Sequence, residues 1–566
     1  MAPFTTVFRA SEPRRVKRNR QTVSCTACQR RKSRCDRRQP CGACEKRGDE
    51  RTCQFAPASS VAGSSTGSRQ EVQNRLHKLE EMVRRLAEGS KAGPAGAPSF
   101  GSRLETAPGG NDMDLDTAEN DRQGIDVDDE PSYHGPTSWA ALVESIHDIQ
   151  SALDAEGDEP PNSQPSEPDP DVVFGELPPV TTDDIERALP TRQDADRLVS
   201  AYFNAKYVAY PFIHTHHFRR RYETFWQSPS STGFLWISTL FSILGVGALI
   251  CTSKDKNSTA EPGPFLNMAA RCLIAGRYLE GKTWSVEALT MLIHARSVQK
   301  TDADPTVWSL YALAVRLAQR QGYHRKWDQV SPKLTPFDAE MRRRVWLVLQ
   351  CYDMVLSHQH GMPPMIHEDT FDAEPPTNAT DEDFDEDSVI ITSRPPTDPF
   401  PITAYITKSK ILPIIRRGMV FPLGTKPGGW TEIQETARDL EAWYASIPPC
   451  LRYRPIREAS FTDPNYTVMH RAMLEITHYM AVCSLYRPYL TLALRQGSVS
   501  EYAPALEHCR RAALRLIEIH FEMDQATQPG GRFHEEKYLV SSLALHDFLV
   551  AAMILCIELM ESRDMR

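Results

Sequence analysis

Several marks of a catalyst are missing from this sequence. It holds no GxGxxG turn of a dinucleotide-binding unit and no HExxH helix, so two common routes to cofactor or metal-assisted chemistry have no residues to run on. Alternating apolar and polar runs of useful length are absent too, which argues against a sheet-built core. The opening residues, Met1-Ala2-Pro3-Phe4-Thr5-Thr6-Val7-Phe8-Arg9, lack the apolar stretch of a secretory leader. A reducing compartment is therefore expected, where clustered thiols more often hold metal than form disulfides. One charge-free apolar run of 18 residues, Phe234 to Cys251, has to be weighed as a membrane span. It is short for that role, is interrupted by Ser238, Thr239, Ser242, Gly245 and Gly247, and has no strongly basic flank. A buried core helix is expected instead, and no membrane partner.

Charge of one sign is also scarce in two places. Residues 1–60 have 15 Lys and Arg against 5 Asp and Glu, whereas residues 111–190 have 2 against 22. The formal charge of −9 over 566 residues hides this contrast. A basic head points to a polyanion partner, and an acidic middle to a solvated tether or an interaction tail. Hydrophobic content of 40% allows a sizeable core, but 42 prolines and a mean hydropathy of −0.44 mean that part of the chain does not pack. The length suits several domains.

Cysteine is equally uneven, with 6 of 13 between Cys25 and Cys53. Their spacing is C-x2-C-x6-C-x5-C-x2-C-x8-C, through Cys25, Cys28, Cys35, Cys41, Cys44 and Cys53. A C-x-x-C pair lets two thiolates of one turn converge on a tetrahedral ion. Six thiols exceed one such site and fall short of two independent ones, so two zinc ions sharing two thiolates satisfy the count. Between and after these cysteines lie Arg30, Arg31, Lys32, Arg34, Arg37 and Arg38. A short helix starting near Cys28 would carry four of those cations on about one and a half turns, and such a helix fits the major groove. The basic arm Arg14-Arg15-Val16-Lys17-Arg18-Asn19-Arg20 just upstream fits a nuclear import signal or a phosphate-gripping extension.

This segment resembles the zinc binuclear-cluster (Zn2Cys6) domain of fungal transcription factors. The resemblance implies two zinc ions per chain with Cys25 and Cys41 bridging: Cys25, Cys28, Cys35 and Cys41 around one ion, and Cys41, Cys44, Cys53 and Cys25 around the other. It further implies that Arg31 and Lys32 read a CGG-like triplet in double-stranded DNA, while Arg30, Arg34, Arg37 and Arg38 grip phosphate. Gln29 stands where the family usually has its first basic residue, and Pro40 matches the proline that turns the loop between the two half-motifs.

After a linker at 54–69, Val72, Leu76, Leu79, Val83 and Leu86 recur at intervals of 4, 3, 4 and 3, the a/d seam of a coiled coil. With Leu76 at a, Arg75 and Glu80 face each other across a parallel dimer. A homodimer through residues 70–88 follows, the short helix being marginal without a partner. Residues 89–180 are rich in Gly, Pro, Ser and Asp and are expected to stay disordered. Inside them, Trp139, Leu142, Val143, Ile146, Ile149 and Leu153 recur at helical spacing among acids, which suits an acidic docking helix for co-regulators or a helix that packs on the rest of the chain.

Residues 181–566 read as helical almost throughout. Thr191 with Asp194, Asp304-Pro305, and Thr335-Pro336 with Asp338 are helix starts; Gly322 and Gly361-Met362-Pro363-Pro364 are stops. This stretch is similar to the fungal transcription factor middle homology region, on Tyr210-Pro211-Phe212-Ile213-His214, the apolar run, Arg316 to His324, Glu340 to Trp346, Asp353, Gly361 to Pro364 and Asp381-Glu382-Asp383. The resemblance implies a helical regulatory domain that governs activation.

The histidines 214, 216 and 217, and 358 and 360, have no carboxylate at metal-ligand spacing and are expected to be helix-end residues rather than ligands. Arg342-Arg343-Arg344 is expected to pair with Glu340 or Asp353 rather than to bind phosphate. The expected organisation is mostly α: basic arm 1–24, two-zinc cluster domain 25–53, linker 54–69, short parallel coiled coil 70–88, disordered acidic linker 89–180, and large all-α regulatory domain 181–566. The expected function is a nuclear, sequence-specific DNA-binding regulator of RNA polymerase II transcription that works with the transcription machinery, by family habit an activator of a secondary-metabolite gene cluster. A regulator of a catabolic or nutrient-response route, or a zinc cluster that serves only protein contacts, are the other readings. No enzyme activity is expected.

Overall fold

Helix-starting chemistry is written locally, and it is obeyed. In the computed structural model, which describes Cys44, Lys46 and, apart from short internal stretches, residues 180–564, helix α1 (Thr182–Ala188) opens on a reciprocal capping box between Thr181 and Asp184. Helix α2 (Arg192–Ala205) is capped by the Thr191 hydroxyl, which accepts from the Asp194 amide, and α3 (Thr215–Gln227) by the His214 ring. The apolar run becomes α4 (Phe234–Lys254), followed by α5 (Pro262–Ala275) and α6 (Ser285–Gln299). Helix α7 (Pro305–Arg320) starts on Asp304 and Pro305. After a single turn, α8 (Trp327–Val330), the 25-residue α9 (Pro336–His360) runs from the Thr335–Asp338 capping box to Gly361. Gly322 and Gly361 adopt positive φ, 77° and 67°, where a side chain would be strained. A loop from 361 to 400 precedes α10 (Pro401–Ser409), α11 (Leu412–Leu423) and α12 (Trp430–Ala445). Three long helices follow: α13 (Asn465–Gln496), α14 (Val499–Thr527) and α15 (Lys537–Asp564). Among the described residues there is no strand.

The chain divides into two units, Met1–Thr66 and Gly67–Arg566, and helices α1 to α15 belong to the second. Helix α4 is the axis of one half of their core, packing on α2, α5 and α6; α13 and α14 pair in the other half, with α15 laid along α14 and touching α4 and α6. Phe234–Ser253 is hydrophobic enough to cross a membrane, with mean hydropathy 2.2, yet it is 83% buried among these helices. The polar residues that break the run have partners there. Ser238 donates to the Ala269 carbonyl of α5 at 2.8 Å, while Thr239 and Ser242 donate back to their own helix. The glycines are the points of closest approach: a Cβ on Gly247 would lie 2.2 Å from the Leu198 carbonyl oxygen of α2, and one on Gly245 would lie 2.6 Å from Leu266 of α5.

Candidate DNA-binding cluster and the buried regulatory junction

Of the expected zinc ligands only Cys44 falls among the described residues. It is helical and 2% exposed, with the neighbouring Lys46 in an exposed turn. Cys25, Cys28, Cys35, Cys41 and Cys53, the cations Arg30, Arg31, Lys32, Arg34, Arg37 and Arg38, the seam Val72, Leu76, Leu79, Val83 and Leu86, and the 137–155 segment lie outside them. The donor chemistry suits zinc: six thiols, soft and deprotonated on binding, match two tetrahedral ions that share two ligands.

In the helical unit, residues far apart in sequence meet on one carboxylate. Asp381, 1% exposed, accepts from the Thr215 amide at 2.7 Å and its hydroxyl at 2.8 Å, from Arg344 Nη1 at 2.7 Å, and from the Lys206 ammonium. Arg344 also donates to the Ala379 carbonyl at 2.7 Å and, through Nε, to Glu340 at 3.2 Å. Glu340 takes a second guanidinium from Arg343 at 2.7 Å and the Thr377 amide. Burial penalises the Asp381 charge, but Lys206 and Arg344 outweigh it and hold the carboxyl well below the usual range. Every member is satisfied by another, which is the condition under which a buried ionic network is tolerated.

His214 links this network to the loop beyond it. Burial presses its pKa down to about 4, so it is neutral at physiological pH. In that state Nε2–H donates to the Phe384 carbonyl at 3.1 Å and Nδ1 accepts the His217 amide at 3.3 Å; only the Nε2–H tautomer meets both demands. Its ring packs edge-on against Phe337 and Phe384, at 5.2 and 4.9 Å. Arg220 and His217 both bond Glu386, and Arg394 grips Asp383 through two nitrogens. The 377–394 loop is thus tied to α2, α3 and α9.

The expected histidine and arginine roles can now be placed. His214 is a cap, and among the described residues no cluster of three metal-ligating side chains occurs. Arg343 and Arg344 pair with Glu340 as expected, while Arg342 stacks on Tyr323 at 4.6 Å and donates to the Gln321 carbonyl at 2.7 Å. Asp353 pairs with none of the three: it accepts the amides of Met365 and Ile366, each at 2.9 Å, fixing the turn after Gly361. Lys206 and Thr215 had no signal at all, because their shared partner is more than 160 residues away in sequence.

One pattern escaped the sequence analysis. Gly276-Arg277-Tyr278-Leu279-Glu280-Gly281-Lys282-Thr283 matches the phosphate-loop spacing GxxxxGK[ST]. It follows helix α5, not a strand, and Lys282 is spent on Glu280 at 2.9 Å and the Gly276 carbonyl at 3.3 Å. The strand–loop–helix context that makes this spacing a nucleotide site is missing. The loop instead borders a cavity of about 480 Å3 between α3, α6, the start of α9 and the segment that follows α7. On its wall the Tyr323 hydroxyl donates to Glu287, but burial pushes that hydroxyl's pKa well above its ordinary range, so the arrangement is suited to holding rather than to chemistry.

The model of the fungal Zn(2)-Cys(6) binuclear cluster domain matches residues 23–60, and that of the fungal specific transcription factor domain matches residues 199–444. The chain is 30% identical to the Zn(2)-C6 fungal-type transcription factor pigI of Monascus ruber, over 97% of this chain and 74% of that protein. It is 31% identical to the fusarisetin A cluster transcription factor fsa6 of Fusarium sp. (strain FN080326), over 97% and 77%. To the equisetin cluster transcription factor eqxF of Fusarium heterosporum it is 32% identical, over 76% and 64%.

Proposed function

The chain belongs to the fungal Zn2Cys6 transcription factor family, and from that premise we propose that it is a pathway-specific activator of a biosynthetic gene cluster that makes a secondary metabolite. It is a DNA-binding transcription factor and not an enzyme, and its cluster domain carries two zinc ions. The observation that carries the proposal is the pairing of the cysteine array at 25–53 with relatives, similar over three quarters or more of this chain, that are named for metabolite clusters.

Zinc, when bound, supplies the free energy that folds such a segment. Cys25, Cys28, Cys35, Cys41, Cys44 and Cys53 hold it as thiolates. Arg31 and Lys32 then donate to guanine O6 and N7 of a CGG-like triplet, and Arg30, Arg34, Arg37 and Arg38 neutralise phosphate. Val72, Leu76, Leu79, Val83 and Leu86 zip two chains into a homodimer, which brings two triplets into register. The basic arm directs the chain to the nucleus, and the acidic middle offers charge and apolar spacing to co-regulators.

The test is chromatin occupancy of the full-length protein, set beside transcript levels after deletion of its gene. Peaks over paired CGG-like triplets next to contiguous biosynthetic genes, with those transcripts lost on deletion, are expected. Peaks beside dispersed catabolic genes, or transcripts that rise on deletion, would overturn the pathway or the sign of the effect.

A further inference from the structure

We propose that Val389-Ile390-Ile391-Thr392 is a strand offered for addition to the open sheet edge of a small partner protein with a basic rim, the chemistry of a ubiquitin-like modifier. Four β-branched residues in a row have a strong preference for a pleated ladder. They have no ladder to join: the described residues contain no strand, and from Ile390 to Pro395 the chain makes no helix, turn or bend. Among the described residues, the amides and carbonyls of 389–393 bond no other backbone group. Val389 and Ile390 are 82% and 79% exposed. Single apolar residues on a surface are ordinary, but two adjacent ones on a run of unpaired backbone form a template for a second strand.

The segment is held in place at both ends. Upstream, the Ser388 amide donates to the Asp385 carbonyl at 3.2 Å, and the Asp385 amide donates to the Ser388 hydroxyl at 2.9 Å. Downstream, the Arg394 amide donates to the Asn378 carbonyl at 2.8 Å, the Asn378 side-chain amide donates to the Arg394 carbonyl at 3.0 Å, and the Arg394 guanidinium grips Asp383. Between these anchors, Ile391 packs against the cluster of Phe337, Ala379 and Phe384. A strand already fixed in this way loses little further conformational freedom on docking.

Charge selects the partner. Residues 381–387 hold six acids. Lys206 and Arg344 pair with Asp381, Arg394 with Asp383, and Arg220 and His217 with Glu386. Glu382, Asp385 and Asp387 have no ion pair with lysine or arginine among the described residues; His216 stands 4.0 Å from Glu382, and Arg220 acts on Asp385 from a distance. All three acids are exposed, so the surface beside the strand carries surplus negative charge. A second copy of this chain would bring another set of surplus acids to the same edge, whereas a basic rim neutralises them. In such a complex main-chain hydrogen bonds give affinity, and pockets for Val389 and Ile390 give specificity.

The probe is isotope-labelled small ubiquitin-like modifier, whose second strand is an open edge flanked by lysine and arginine, titrated with full-length protein and followed by its amide resonances. Saturable shifts confined to that edge are expected, and added salt should weaken binding. Val389→Ser combined with Ile390→Ser should weaken it by about tenfold or more at an unchanged melting temperature, because both side chains lie in solvent. Glu382→Gln combined with Asp387→Asn should weaken it severalfold and flatten the salt dependence. The proposal falls if the parent gives no saturable shifts, if they map to another face of the modifier, or if the serine variant binds like the parent. Unchanged binding and salt dependence in the Glu382→Gln, Asp387→Asn variant would overturn the basic rim and with it the choice of partner. Sedimentation supplies the remaining arm: an assembly of full-length chains that the serine variant splits would make a second copy the occupant and overturn the proposal.

Discussion

At the scale of single residues, Asp381 is where the helical unit is most exposed to damage. Replacing it with Asn removes the carboxylate that is ion-paired with Lys206, whose side chain is 2% exposed, and leaves Arg344 with Glu340 as its remaining ion pair. Stranding a buried cation typically costs about 3–5 kcal/mol, so Asp381→Asn should lower the urea midpoint by that equivalent, and the double variant Asp381→Asn with Lys206→Met should recover part of it. A double variant no more stable than the single one would show that Lys206 is not the group left stranded. In the cluster, Lys32→Ala should cost ~1–3 kcal/mol of discrimination between cognate and scrambled DNA; competition binding at fixed salt would contradict the base-reading role if both sites weaken equally. These two residues differ in legibility. Lys32 sits inside a cysteine array whose spacing alone declares its chemistry, whereas Asp381 was visible only as part of an acidic triplet. Its partners come from 166 and 175 residues upstream and 37 residues upstream, and no local pattern encodes a contact that the fold alone creates.

At the scale of elements, starts and stops were legible because their signals are local. Thr191, Asp304 and Thr335 cap the helices that they were expected to cap, and Gly361 ends α9. What could not be read was which face of a helix meets which neighbour. Gly245 and Gly247 counted as interruptions of an apolar run, and in the structure they let α4 lie against α5 and α2. Gly247→Ala would drive a methyl into the Leu198 backbone, which cannot rotate away, so a loss of about 1–3 kcal/mol is expected. Gly263→Ala in the first turn of α5 meets nothing within 4 Å apart from its chain neighbours; Pro264 after it disfavours a side chain in the helical region, so the change should stay within about 1 kcal/mol, below that of Gly247→Ala. Thermal melts of the two variants check this, and equal melting temperatures would mean that α2 and α4 have slack.

At the scale of the whole molecule, buried histidines tie stability to acidity. Burial presses the pKa of His214, His294, His470 and His478 down to about 4, and that of His358 to about 3. In the unfolded chain each takes up a proton near pH 6.5, so the native state gains from their neutrality above that pH and loses the gain as pH falls from about 6.5 toward 4. Each contributes a slope of about 1.4 kcal/mol per pH unit in that window. Urea unfolding at pH 7.5, 6.0 and 5.0 should show a steep decline well above the range in which carboxylates titrate; a stability that stays flat down to pH 5 would contradict it. The all-α class was legible in the absence of alternating runs and the density of caps, because both are statistical properties of the chain. The cavity was not, since its walls come from three helices and from loops far apart in sequence.

Helix α4 has one more consequence, for the life of the chain before it is folded. Phe234–Ser253 is apolar enough to be taken for a membrane segment, and the last helix to touch it is α15, Lys537–Asp564, nearly 300 residues further on. Until synthesis reaches that point, the segment is covered only in part. A premature stop, a splicing error or a truncated expression clone would leave this stretch without part of its cover. Chaperones and proteases that recognise exposed apolar segments would then find part of their signal in the centre of the fold, and α15 would conceal the last of it.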